Sequence, residues 1–146
     1  MEYAMQQKAW MDESVMLSWV NTVLAPYLTT APVGIRPMLV LDSYRCHMMA
    51  SVVTSIRNLG CDVHHIPGGC TSLCQPLDIA INKPLKDGLR MHFQAWLRNK
   101  LAMLNNGVQL CNPTRHDVVR WTSDVMESIT VQTVKNAWLK TDYSWF

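Results

Sequence analysis

At 146 residues, 49% apolar and 16% charged, the chain has the length of one domain that buries roughly two thirds of its unfolded surface, and its composition excludes a disordered tail. A formal net charge of +2 excludes phosphate recognition by bulk charge, so any nucleic-acid contact must come from local clustering of cations. Five cysteines, Cys46, Cys61, Cys70, Cys74 and Cys111, form an odd set without a CxxC pair; this excludes a disulfide framework and a standard zinc module and fits a reducing interior. No apolar run reaches the length of a membrane span and Met1-Glu2-Tyr3 does not begin a signal peptide, so the chain reads as intracellular and soluble, without a membrane partner.

Asp12 can cap a helix over 12–25, whose apolar positions Met16, Leu17, Val20, Val23 and Leu24 recur at helical spacing and whose extension Pro26 should limit. The segment 29–37, with two prolines and a glycine, is a connection. Met38-Leu39-Val40-Leu41, ending in Asp42, reads as a buried parallel strand near 38–42. From His47 to Leu59 the helical period returns, with Gly60 placed to stop it, and 61–66 is again strand-like. Strand, helix, strand with short joins predicts a βαβ unit. After the Pro67-Gly68-Gly69 turn the chain is helix-compatible from Leu77 to Leu104, although Pro84 should kink or split it, and Asn105-Asn106-Gly107 ends it. Asn112-Pro113 looks like a cap and first-turn proline opening a helix with Val118, Val119, Trp121, Val125 and Met126 partly on one face. Thr130 caps a last short helix with Val131, Val134 and Trp138 inward. Two parallel strands alone leave raw sheet edges, so further strands are expected upstream.

Two acidic residues stand where chemistry could gather. Asp42 lies at the carboxyl end of a strand, where ligands of open α/β sheets bind; it could equally form a strand-ending Asx turn with Ser43 and Tyr44. Asp78 opens the long helix behind the stiff 67–76 loop, as a cap or as a ligand. A βαβ connection would bring both carboxylates to one sheet edge, and oxygen donors of this kind suit Mg²⁺ or Mn²⁺, which support phosphodiester cleavage. Over 78–100, five cations outnumber Asp78 and Asp87, an excess of +3. Of these, Lys83, Lys86 and Arg90 share a helical face that could hold phosphates or simply be solvated. His64, His65, Cys70 and Cys74 match no common zinc spacing, and Cys74 with His47 as thiol and base lacks an orienting third group. Trp19, Trp96, Trp121 and Trp138 sit in amphipathic helices and read as core.

LVLDSYRCH, CDVHHIPGGCTSLCQPLD and INKPLKDGLR, in this order, resemble the DDE/DDD superfamily of transposase-derived endonuclease domains, in its pogo/Tigger/jerky branch. AWMDESVMLSWV and TRHDVVRW extend the similarity over nearly the whole chain. The resemblance implies a ribonuclease H-like α/β fold and three acidic residues that bind Mg²⁺ or Mn²⁺ for DNA strand cleavage and joining. By motif, Asp42 and Asp78 match the second and third of these, as catalytic metal ligands. The family's first acid lies on an earlier strand, upstream of anything resembling Met1 to Trp10; Glu2 lies outside a strand-like run, and Asp12 and Glu13 belong to the first helix. The expectation is therefore a single, N-terminally incomplete DDE-type domain over 1–146, truncated before the upstream strands and any helix-turn-helix module. It would bind DNA in the nucleus and be inactive as this chain, with homo-oligomers or chromatin proteins as further partners. The competing expectations are a domesticated, non-enzymatic DNA-binding or chromatin-associated protein and a degenerate transposon fragment.

Overall fold

The computed structural model describes residues 10–104 and 111–141. The chain is mixed α/β and divides into two compact units, one running to Gln75 and the other beginning at Pro76.

The first unit opens with α1 (Glu13–Trp19), a π-helical turn (Val20–Leu24) and α2 (Ala25–Leu28). Asp12 is the N-cap as expected, its carboxylate accepting the Val15 N–H at 3.0 Å. Pro26 does not limit the helix, which runs on to Leu28. The carbonyl that Pro26 would leave unbonded is that of Thr22, inside the π turn. There the Ala25 N–H already reaches back five residues to the Val20 carbonyl, so the missing proline donor falls in a register where it is not required.

Strand β1 (Met38–Leu41) pairs in parallel with β2 (Asp62–His65), Leu39 opposite Val63 and Leu41 opposite His65, and α3 (Ala50–Asn58) makes the crossover. The βαβ unit stands as the sequence implies, and β1–β2 is the whole sheet among the described residues. β1 is half-buried along its length rather than buried, its Leu39 and Leu41 packing on a core of Met16, Val20, Leu24, Val52, Ile56 and Cys61. α3 begins later than His47: a 3₁₀ turn (Arg45–Met48) intervenes, Met49 is extended, and Met49 is the N-cap whose carbonyl accepts the Val53 N–H. Gly60 stops the helix with a left-handed φ of 77°. Beyond β2 the 67–76 loop is not purely irregular, since a single turn, α4 (Thr71–Cys74), is wound into it before Gln75 is driven extended by Pro76.

In the second unit a π turn (Leu77–Ile81) leads without a break into α5 (Asn82–Leu104). Pro84 does not split this helix, for the reason that holds at Pro26: its i−4 carbonyl, that of Ala80, lies within the π turn. The stop expected at Asn105-Asn106-Gly107 lies outside the described residues. α6 (Arg115–Ser128) is capped by Thr114, not Asn112. The reason is Asp117 at the third helical position, whose carboxylate returns the bond to the Thr114 N–H and completes a capping box. α7 (Val131–Leu139) starts at Thr130 as expected, but Val131, Val134 and Trp138 are exposed; the inward positions are Ala137 and, just beyond the helix, Thr141. Trp121 and Val125 form the buried face of α6, with the Trp96 ring edge-on to Trp121 at 6.5 Å, while Val118 and Met126 are exposed. Gly88 makes the α5–α6 contact possible, because a Cβ there would lie 2.6 Å from Val125 Cγ1.

Candidate functional site

Asp42 is the first residue past β1, and its carboxylate is 35% exposed. Its Oδ1 accepts the Tyr44 N–H at 3.1 Å, the Asx turn that the sequence allows, and also the His47 Nδ1–H at 2.6 Å. A carboxylate oxygen only accepts, so the proton of this pair belongs to His47 Nδ1. His47 itself is held from the neighbouring strand end: His65 Nε2–H donates to the His47 carbonyl at 3.1 Å. The Ser43 hydroxyl donates to the Ile66 carbonyl at 2.5 Å, and the Ile66 N–H to the Leu41 carbonyl at 2.8 Å, tying the segment after β1 to the end of β2. The Tyr44 ring meets the His47 ring at 5.6 Å and 71°.

Asp78 lies in the second unit, exposed, on the π turn that opens α5. Among the described residues it caps no backbone N–H; its Oδ1 accepts the Asn82 side-chain amide at 2.6 Å, one helical turn on. π turns occur at functional sites because the extra residue re-aims the side chains around it. Asp42 and Asp78 thus each engage one oxygen within their own unit, and both offer the hard oxygen donors that Mg²⁺ or Mn²⁺ selects. Among the described residues no group of three His, Cys, Asp or Glu side chains is placed to hold an ion.

Lys83, Lys86 and Arg90 are exposed on α5, but two of them are already engaged. Lys83 Nζ lies 2.9 Å and Arg90 Nη1 2.7 Å from the two Asp87 oxygens. The Lys83 hydrogen bond, then the Lys83 charge and the Arg90 pairing, hold the Asp87 carboxyl below its ordinary range. Lys86 makes no such pair among the described residues. His47, the imagined base for Cys74, gives its Nδ1 to Asp42 instead. The sequence carried a trace of this contact in the close spacing of Asp42 and His47 in DSYRCH, which no helical or strand period explains.

The DDE superfamily endonuclease family matches residues 1–138. The chain is 35% identical over 134 residues to the mouse "Pogo transposable element with KRAB domain", covering 88% of this chain and 22% of that protein, and 34% identical over the same length to its human counterpart. The human "Pogo transposable element with ZNF domain" is 27% identical over 93 residues, 64% of this chain and 6% of its own length. The chain thus spans about a fifth of the length of the first two relatives. No solved structure gives a significant match.

Proposed function

Since the chain belongs to the DDE superfamily of endonucleases and is transposase-derived, we propose that it is a ribonuclease H-like, DNA-binding segment acting in the nucleus, in which Asp42 and Asp78 are divalent-metal ligands. The observation that carries the reading is the placement of Asp42 at the carboxyl end of β1 in a βαβ unit, with one carboxylate oxygen engaged and the group still part-exposed. Mg²⁺ or Mn²⁺ bound there would supply the charge stabilisation that phosphodiester cleavage requires. The chain's own residues orient the carboxylates, and Lys86, with Lys83 and Arg90 beside it, positions phosphate. Each carboxylate by itself holds a cation loosely, so the proposal is binding without strand cleavage by this chain.

The test is Mn²⁺ titration of the chain followed by electron paramagnetic resonance. Asp42→Asn and Asp78→Asn should each weaken binding about tenfold or more, the scale on which metal affinity responds to changes around a site. Equal, weak binding in all three proteins refutes the metal assignment. It would favour the second reading, a domesticated, non-enzymatic DNA or chromatin interaction domain. The observation behind that reading is the engagement of both carboxylates by neighbouring side chains, Asp42 by His47 and Asp78 by Asn82.

A further inference from the structure

Two hydrogen-bond donors converge on one oxygen of Asp42, and the second of them is supported in turn from β2. The Tyr44 N–H is fixed by the backbone. The His47 Nδ1–H is fixed only if the 3₁₀ turn that carries His47 is itself held; its own His47 N–H to Tyr44 carbonyl bond at 2.9 Å closes it, and His65 at the end of β2 ties it to the sheet through the His47 carbonyl. His47 is well sheltered, 17% exposed against 35% for Asp42, and the Tyr44 ring closes on its edge, so the imidazole has little freedom to turn away. With Oδ1 doubly occupied, the carboxylate torsion is set and the lone pairs of Oδ2 are the ones left to a ligand. Neither histidine is needed for the strand pairing, which is made by backbone groups.

We propose that His47 and His65 are positioning residues, a two-histidine brace from β2 through the 3₁₀ turn that aims the Asp42 carboxylate at a divalent cation; this rests on the metal reading of Asp42 above. Partners that hydrogen-bond a metal ligand set its orientation, and their loss costs about 10- to 100-fold in metal affinity.

The geometry dictates which substitutions rescue. The amide nitrogen of asparagine stands close to the Nδ1 position of histidine, and that of glutamine close to Nε2. The brace uses Nδ1 at position 47 and Nε2 at position 65. In the 146-residue chain, His47→Asn and His65→Gln should therefore keep Mn²⁺ affinity within about twofold, while His47→Gln, His65→Asn and either alanine variant should lose about tenfold. A merely structural role would not invert the asparagine–glutamine preference between the two positions. Equal effects of the two amides at both positions overturn the proposal, as does unchanged affinity in the alanine variants.

Should wild type show no Asp42-dependent Mn²⁺ binding, the metal reading fails and the brace is judged by nuclear magnetic resonance alone. A slowly exchanging His47 Nδ1 proton that disappears in Asp42→Ala establishes the brace without the metal. Its absence from wild type overturns it.

Discussion

Of Lys83, Lys86 and Arg90 on α5, Lys86 is the one without an ion pair among the described residues, whereas Lys83 and Arg90 share Asp87. An ammonium already paired to a carboxylate releases few counterions when a phosphate arrives, while an unpaired one contributes nearly a full increment to the salt slope. Lys86→Ala should therefore reduce the slope of log K against log salt for duplex DNA by about 1, and Lys83→Ala by clearly less. Fluorescence anisotropy at several salt concentrations reads both, and equal slopes for the two variants would refute the ranking. Spacing in the sequence found the shared face of residues 83, 86 and 90. It did not show that Asp87, one residue further round the helix, takes two of the three charges, because side-chain reach decides that and not periodicity. The same limit hid His47, whose partner is set by a 3₁₀ turn that the helical pattern from residue 47 had concealed.

Two prolines that should have interrupted helices did not, and the cause lies at the scale of the element. Each follows a π turn, where the bonding register has moved by one residue before the proline is reached. Apolar spacing cannot announce such a turn, since one extra residue barely alters a pattern read over two or three turns. Gly88 was silent for a related reason: its meaning is the approach of a second helix. Adding a methyl there would restore about 1 kcal/mol of helix propensity, yet force it against the stiff, buried Val125 side chain at 2.6 Å. Overpacking of this kind costs about 1–3 kcal/mol. Gly88→Ala should thus lower stability by up to about 2 kcal/mol in urea unfolding. The double variant with Val125→Ala should fall short of the sum of the two losses. Full additivity would show that the helices are not in contact there.

The start of α6 also carries an acid sensitivity. Bonds from the Thr114 hydroxyl and N–H, and more weakly the charge of Arg120, hold Asp117 below its ordinary range. A depressed carboxyl contributes stability that is fully present above the unfolded pKa, about 3.9, and is lost as pH falls through the lower folded value. Helical ellipticity should therefore begin to drop near pH 4, and the drop should be shallower in Asp117→Asn, which lacks the ionisable box at every pH. Parallel curves would assign the acid response elsewhere, Asp87 being another depressed carboxyl.

For the whole molecule, the order of elements was legible because each rests on local chemistry: Asp12 and Thr130 as caps, Gly60 as a stop, and two short β-prone runs around an amphipathic helix. The inward face of α7 was not, since Val131, Val134 and Trp138 satisfy the period while Ala137 is the residue that fits. Asp42 and Asp78 were singled out through motif resemblance, and their individual surroundings emerge only with the fold. The division at Gln75 and Pro76 puts one acidic residue in each compact unit.

Cys46 and Cys61 are buried in the first unit, and burial above all pushes both thiols up, with the Asp42 charge adding to the effect at Cys46. Cys111, in the second unit, is exposed. The chain therefore carries its own clock for opening. At neutral pH iodoacetamide should alkylate Cys111 promptly, whereas Cys46 and Cys61, both hidden and protonated, should wait for the first unit to unfold. Their lag, read by mass spectrometry across a urea series, reports the integrity of the framework around Asp42 without any metal or nucleic acid present. If Cys46 reacted as quickly as Cys111, that framework would be open in solution.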